Sequence, residues 1–438
     1  MIMKLALFYK NDGIRDKDCT RLDKGNPGIG GTPFMVYLIA YLLQVRDNGI
    51  DVLLLTSFEP LIPKGIKTGH ADCLSQAYAM CEEQGYDYLI IKHMDSYEAE
   101  DQRVFLEGGR TKLLIWCHNF VDNGMLQFYS NSKTVCRIIA VGREQMDLYR
   151  DHKAFNKSDY IYNAIDVPQL TNQTFQVQPF AQRKNIVTYL GAVIQGKGFH
   201  ILAKAWKDVL KEVPDAELYV IGSGRLYNHG AKLGEWNLAE EKYEKSFMKY
   251  LTKDGKLLPG VHLVGMLGKE KMEILGKTKV GVPNPSGLTE TFCLCGVEMQ
   301  MAGARIAAYR CAGYLDTVRN GTFFKKRSQL SDCIIKELKG KDNDYDSAIE
   351  FLNQKFSQDV IVGDWERLLK ECIPQGTHLH DIYPLSNSSF QLKWLKDRLR
   401  VLKSRFPALY ALPTVDSMVS FWEKIDYKLF KFRNGFNF

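Results

Sequence analysis

Ile186-Val187-Thr188-Tyr189-Leu190-Gly191-Ala192-Val193-Ile194-Gln195-Gly196-Lys197-Gly198 is a short apolar run followed by a turn bounded by glycines, with one lysine inside it. A run of this length ending in glycine reads as a buried strand, and the residues beyond Gly198 read as a helix. In a doubly wound sheet, ligands bind where strand ends lead into helix starts. A lysine between two glycines at such a place can reach a phosphate without obstruction. The other reading is an ordinary strand-to-helix turn with a solvated lysine.

Working outward, the same alternation continues on both sides. Downstream, Glu217–Ile221, His262–Val264, Val280–Val282 and Ile306–Tyr309 read as strands between amphipathic segments. Upstream, strands are expected at Lys4–Tyr9, Asp51–Thr56, Tyr88–Lys92, Lys112–Cys117, Arg137–Val141 and Tyr160–Tyr162, with a helix over Pro33–Gln44. Alternating strands and helices imply parallel α/β layers. The polar stretch near 168–184 lacks periodicity and reads as a linker, and beyond about residue 325 the strand signal gives way to helix. The expected organisation is a Rossmann-like domain over 1–170, a linker over 171–184, a second Rossmann-like domain over 185–380, and a basic, aromatic helical tail over 381–438. The two doubly wound sheets would face a cleft.

Composition narrows the class further. The 438 residues are 45% apolar and 25% charged, which suits large globular cores and excludes a disordered or collagen-like chain. No run approaches the roughly 18 apolar residues of a membrane span, and Met1–Phe8 reads as a first strand rather than a signal peptide. The ten cysteines are scattered without a C-x-x-C pair, so a reduced cytoplasmic protein without structural metal is expected. Net charge is +7. Residues 391–438 hold ten Lys and Arg against four acids, a net +6, which leaves +1 for the rest.

Two further loops have an anion-binding composition. Gly25-Asn26-Pro27-Gly28-Ile29-Gly30-Gly31-Thr32 feeds the helix at Pro33; it matches neither a Walker loop nor G-x-G-x-x-G, and a flexible surface turn is the equal alternative. Pro285-Ser286-Gly287-Leu288-Thr289-Glu290-Thr291-Phe292-Cys293-Leu294-Cys295-Gly296-Val297-Glu298 carries two glutamates across a loop-to-helix junction. On a helix, eight steps would set them about 12 Å apart along the axis and about 80° apart around it. Carboxylates so placed suit hydroxyls at the two ends of an extended ligand, with a diphosphate between them at the helix start. The alternative makes Glu290 a capping acid and Glu298 a surface residue.

Taken in order, these segments resemble the retaining nucleotide-sugar glycosyltransferases of family 4, which have the GT-B fold. The resemblance rests on 189–198, on Pro214-Asp215-Ala216-Glu217-Leu218-Tyr219-Val220-Ile221-Gly222-Ser223-Gly224, and on Val261-His262-Leu263-Val264-Gly265. It continues through Glu290…Glu298 and Ala302-Gly303, spanning about 185–322. More loosely, Gly30-Gly31 resembles the family's N-terminal glycine loop, His118 a histidine near the donor sugar, and Tyr162-Asn163-Ala164-Ile165-Asp166 the segment closing the first domain.

The resemblance implies that Lys197 neutralises the departing diphosphate, Glu290 binds donor-sugar hydroxyls and Glu298 the ribose diol. It places the amides near Phe292 and Cys293 toward sugar and phosphates, and His118 beside the sugar. The implied activity is metal-independent hexosyl transfer from a UDP- or GDP-sugar to a glycan or lipid-linked acceptor, as in polysaccharide biosynthesis, with no cofactor. Three positions depart from the family: Ala192 stands where an arginine is usual, Cys293 where a glycine is, and Ala312-Gly313 where two glycines are. The missing arginine leaves one phosphate-neutralising charge to be supplied by Arg225 or another cation. These departures keep two alternatives open: a non-catalytic nucleotide-sugar-binding subunit, and another GT-B chemistry such as an epimerase.

In the tail, Leu392, Leu395, Leu399 and Leu402 fall on one helix face, with Lys393, Lys396, Arg400 and Lys403 one step round. Further on, Phe421, Trp422, Tyr427, Phe430 and Phe432 interleave with Lys and Arg. One reading is a packing face that crosses back to the N-terminal domain. The other is a surface for anionic membrane lipid or a lipid-diphosphate acceptor, at the inner face of a membrane. No nucleic-acid-binding motif accompanies the charge, so nucleic acid is not an expected partner.

Overall fold

A computed structural model describes residues 2–22, 25–166, 177–226, 230–268, 270–342 and 344–436. Two compact units result: Met1–Ile165 with Gln358–Phe430, and Asp166–Ser357 with Lys431–Phe438. The first holds seven strands, β1 Met3–Tyr9, β2 Ile50–Thr56, β3 Lys67–His70, β4 Tyr88–Lys92, β5 Lys112–Cys117, β6 Val135–Ala140 and β7 Ser158–Tyr160. They form one parallel sheet in the order β3-β2-β1-β4-β5-β6-β7. The second unit has β8 Ile186–Leu190, β9 Glu217–Ile221, a small antiparallel hairpin of β10 Thr252–Lys253 and β11 Lys256–Leu257, then β12 Val261–Gly265, β13 Val280–Gly281, β14 Arg305–Tyr309 and β15 Gly321–Phe324. Its main sheet is parallel, in the order β12-β9-β8-β13-β14-β15.

The central strands are the apolar runs that predicted them. Every residue of β8 is buried, and both its hydroxyls are satisfied: Thr188 meets Thr278 at 2.6 Å and Tyr189 donates to Ala192 O at 2.8 Å. An amphipathic helix packs by burying one stripe. Phe199–Glu212 buries Phe199, Leu202, Trp206 and Val209, at helical spacing.

Some boundaries differ from the sequence reading, for identifiable reasons. The expected strand Tyr160–Tyr162 sits two residues earlier, as β7. Strand β3 escapes notice because it is a polar, mostly exposed edge strand with no apolar alternation. Strand β15 is four residues long and closes the opposite edge of the second sheet. Residues 358–380, expected in the second domain, pack with the first unit, where Trp365 meets Trp116 edge-on at 5.1 Å. Of the expected linker, 171–176 lie outside the described residues. Its remainder is packed into the second unit, with Arg183 buried and its Nη2 donating to Ala302 O at 2.9 Å. The polar stretch after β9 is also packed: Glu244 is buried and accepts from the backbone N–H groups of Trp236, Leu238 and Ala239.

The basic stripe of the tail faces inward. In the helix Lys393–Arg405, the buried residues are Lys393, Lys396 and Lys403, while Leu402 and the capping Leu392 are over 40% exposed and Leu395 and Leu399 are half-buried. Lys393 Nζ donates to Glu144 at 2.5 Å and to Asp147 at 2.9 Å; Lys403 meets Asp151 at 3.3 Å and Lys396 meets Asp416 at 3.0 Å. Arg150, fully buried, bridges Asp147 and Asp397. The acids after β6 are themselves buried, so each needs a cation more than the leucines need a core. The basic stripe is therefore a packing face of the first unit and not a lipid-facing one.

Removing one member of such a buried cluster strands the others. Lys393→Met should lower unfolding free energy by about 3–5 kcal/mol, read as a reduced denaturant midpoint with an unchanged slope.

Candidate functional site

In the second sheet the chain leaves β8 toward β9 and β12 on one side, and leaves β13 toward β14 and β15 on the other. The carboxyl ends of β8 and β13 therefore flank the topological switch point, where open α/β sheets bind ligands. The lysine turn follows β8 and the glutamate loop follows β13, so residues 93 positions apart meet there.

After β8 the chain makes a short helical turn, Gln195–Lys197, and reverses at Gly198 with φ of +70°. A Cβ at Gly198 would lie 2.6 Å from that of Ser286, so glycine lets the lysine turn press against the other loop. Ser286 Oγ lies 2.6 Å from Gly196 O and 2.8 Å from Asn284 Oδ1, and accepts from Leu288 N. Asn284 Nδ2 then donates to Glu290 Oε2 at 2.9 Å, and Lys197 Nζ reaches the same oxygen at 3.0 Å. Lys197 and Glu290 keep 19% and 10% of their side-chain surface exposed, so the pair is largely withdrawn from water yet reachable.

The helix after this loop is Leu294–Met301, capped by Cys293. Glu290 therefore lies outside it, and the helical offset expected between Glu290 and Glu298 does not apply. Thr289 and Cys293 both adopt positive φ, +60° and +66°, on either side of the Glu290–Phe292 segment. The left-handed backbone at Cys293 explains why glycine suits that position; the cysteine adds a cap, its Sγ accepting from Gly296 N at 3.3 Å. Phe292 is buried and packs edge-on to Phe356 at 5.1 Å. Behind the loop, Gly313 N donates to Glu290 O at 3.1 Å.

Glu298 is held by a residue the sequence reading missed. Lys271 Nζ donates to both its carboxylate oxygens at 2.9 Å. Burial pulls the Lys271 pKa down, but the charge and hydrogen bonds of Glu298 outweigh it and hold the ammonium above its ordinary value. Cys295 feels both ion pairs; burial pushes its thiol up to about 12 and that of Cys293 well above its ordinary value, so neither is a thiolate nucleophile. Asn284 and Lys271 lack local signatures, and only the fold reveals them. Ala192 is buried and adds no charge, while Arg225 turns its Nε to Ala231 O, leaving Lys197 as the cation this turn brings to Glu290. Among the described residues, no group of three His, Cys, Asp or Glu could hold a metal ion.

The other expected residues belong to the first unit. His118 follows β5 directly, its ring 4.5 Å from that of Trp116. Buried Gln145 clamps the turn on both sides, donating to Cys117 O and Asn119 O at 3.0 and 2.9 Å. Burial, with repulsion from Lys92, lowers the His118 pKa to about 3, so the imidazole is neutral near pH 7. Gly30 caps the helix Gly31–Val45, which starts two residues before the expected Pro33.

Two outcomes follow from this packing. A Cβ at Gly313 would come within 2.7 Å of Phe292 N and 2.8 Å of Glu290 O, both backbone atoms. Gly313→Ala should therefore cost about 1–3 kcal/mol, seen as a fall in melting temperature. His118, neutral when folded, takes up a proton only when unfolded between its ordinary 6.5 and about 3. Its contribution is complete above pH 6.5 and is lost as pH falls, at up to about 1.4 kcal/mol per pH unit. His118→Gln should flatten the acid limb of unfolding free energy against pH by about one proton.

Residues 171–350 match the family model described as glycosyl transferases group 1. No curated protein matches the chain by sequence. Sucrose-phosphate synthase from Thermosynechococcus elongatus superposes with a TM-score of 0.61 at 15% identity, covering 85% of this chain and 100% of that one. HepE of Anabaena, crystallised with UDP and glucose, gives 0.58 at 16% identity, covering 84% and 99%. The N-terminal domain of Candida albicans trehalose-6-phosphate phosphatase gives 0.56 at 10% identity, covering 86% and 97%. The chain thus has the GT-B fold, and its segment 171–350 matches the model of the glycosyl transferases group 1 family.

Proposed function

We propose that the protein is a retaining glycosyltransferase that moves a hexose from a UDP-sugar to a hydroxyl of a glycan or lipid-linked acceptor. The observation that carries this reading is the Lys197–Glu290 pair at the switch point, 3.0 Å apart and braced by Asn284. The UDP and glucose bound to HepE, a neighbour in fold, favour a uridine donor over a guanosine one.

In this reading Lys197 exchanges Glu290 for the donor diphosphate, trading one anionic partner for another, so its desolvation is already met before the donor arrives. Glu290, kept in place by Asn284, then accepts hydrogen bonds from sugar hydroxyls. A carboxylate has about four acceptor sites, so Glu298 can hold Lys271 and still receive the two ribose hydroxyls. The Leu294–Met301 helix presents its N-terminal end beside the phosphates, where its dipole favours negative charge. Transfer breaks the bond between the anomeric carbon and the diphosphate oxygen and forms the bond to the acceptor oxygen on the same face. The acceptor proton passes to the leaving phosphate, and no protein nucleophile is assigned.

Thermal unfolding with UDP, GDP and their sugars tests the proposal. UDP at 100 times its Kd should stabilise the protein by about 2.7 kcal/mol, and Lys197→Ala and Glu298→Ala should each remove most of that shift. Glu290→Gln should keep UDP binding but lose sugar transfer. Stabilisation by a nucleotide without sugar release, with acceptors supplied, would instead assign the non-catalytic role that Ala192 and Cys293 leave open. No shift with any nucleotide would overturn the donor site.

A further inference from the structure

The helix Val415–Arg433 is amphipathic in the reverse of the usual sense. At 100° per residue, Met418, Phe421, Trp422, Ile425, Leu429 and Phe432 fall within an arc of about 100°. All but Ile425 are strongly exposed, from 46% at Leu429 to 82% at Phe432. The opposite side is the one turned to protein. There Asp416 pairs with Lys396, and Glu423 accepts from Gln391 Nε2; Tyr427 and Phe430 are half-buried. A helix at a water-facing surface ordinarily presents its charges outward and its apolar stripe inward. A contiguous exposed apolar face of this size marks an interaction site.

Charge indicates what covers it. Lys424, Lys428 and Lys431 line the flank next to Phe421, at spacings of four and three, so they form a second stripe beside the apolar one. Lys424 and Lys428 are exposed. A second copy of this chain packed antiparallel on the same face would bring the two lysine stripes together, and the flank beyond Trp422, with Asp426 and Arg433, has no net charge to offset them. An anionic lipid surface would instead receive the aromatic and aliphatic side chains among its acyl chains and the lysines among its headgroups, the arrangement of a helix lying in a membrane interface. No described helix is long and apolar enough to cross a membrane, which fits a helix that lies on the surface.

We infer that the Val415–Arg433 helix binds anionic membrane through the Met418–Phe432 face, with Lys424 and Lys428 contacting the headgroups. The contact is separate from the buried lysines of the preceding helix, and it does not depend on the proposed chemistry.

Vesicle co-sedimentation of the full chain tests it, using phosphatidylcholine vesicles with and without about one third phosphatidylglycerol. The expected result is binding to the mixed vesicles that falls steeply with salt. Phe421→Ser/Trp422→Ser and, separately, Lys424→Glu/Lys428→Glu should each weaken it about tenfold or more, with melting temperature unchanged because these side chains are exposed. Equal binding to both vesicle types, or no loss in either variant, overturns the inference. So does a concentration-dependent dimer that Phe421→Ser/Trp422→Ser abolishes, which would give the face to a second copy. The UDP shift of melting temperature, measured on the same variants, reports separately on the donor site.

Discussion

A Cβ at Gly198 would stand 2.6 Å from Ser286, and one at Gly313 would stand 2.7 Å from the backbone of Phe292. The Pro283–Phe292 loop is thus gripped on two sides by backbone that cannot carry a side chain. This close approach gives the loop its hydrogen bonds: Ser286 to the lysine turn, Gly313 to the carbonyl of Glu290, and Asn284 to the Glu290 carboxylate. It also tolerates left-handed backbone at Thr289 and Cys293, conformations that cost an ordinary residue about 1–2 kcal/mol each. Strain of that size persists only where the surroundings over-determine it. Here it fixes a carboxylate within 3.0 Å of a lysine that the sequence places 93 residues away.

The electrostatics of the site follow from that rigidity. Two lysine–glutamate pairs, Lys197–Glu290 and Lys271–Glu298, hold equal and opposite charge in a partly buried place. The cysteines beside them stay protonated, so the useful chemistry of the loop lies in hydrogen bonding and charge placement. A site of paired charges can receive a ligand that carries both an anion and hydroxyls, because each half of a pair finds a new partner in it. A purely anionic ligand would satisfy the lysines and leave the glutamates repelled.

Much of this was legible in the sequence, and the reasons for success and failure are local. Strands such as Ile186–Leu190 and Lys112–Cys117 are buried on both faces, so their side chains alone identify them. Edge strands Lys67–His70 and Gly321–Phe324 are short or polar, and only pairing with a neighbour makes them strands. Lys197 and Glu290 stand in glycine-marked turns and can be singled out. Asn284, Lys271 and Gln145 cannot, since each is an unremarkable polar residue whose role is set by a partner across the fold. The helical spacing of Glu290 and Glu298 misled because the helix begins only at Leu294, a boundary set by the backbone of Cys293.

The tail shows a deeper limit of periodicity. A 3-4-3 pattern says that a helix has two faces; it does not say which one is buried. That choice depends on what the rest of the fold offers. In Lys393–Arg405 the fold offers Glu144, Asp147 and Asp151, carboxylates that are already buried and would each cost several kcal/mol if left unpaired. Against that, exposing Leu392 and Leu402 forgoes at most about 1.5–3 kcal/mol each. The charges win, the lysines turn inward, and the leucine row is left half-buried at Leu395 and Leu399 and exposed at its two ends. The same logic passes to the next helix through Lys396 and Asp416. Once its acidic side is committed to the protein, its row of Met, Phe, Trp and Leu has no direction left but outward.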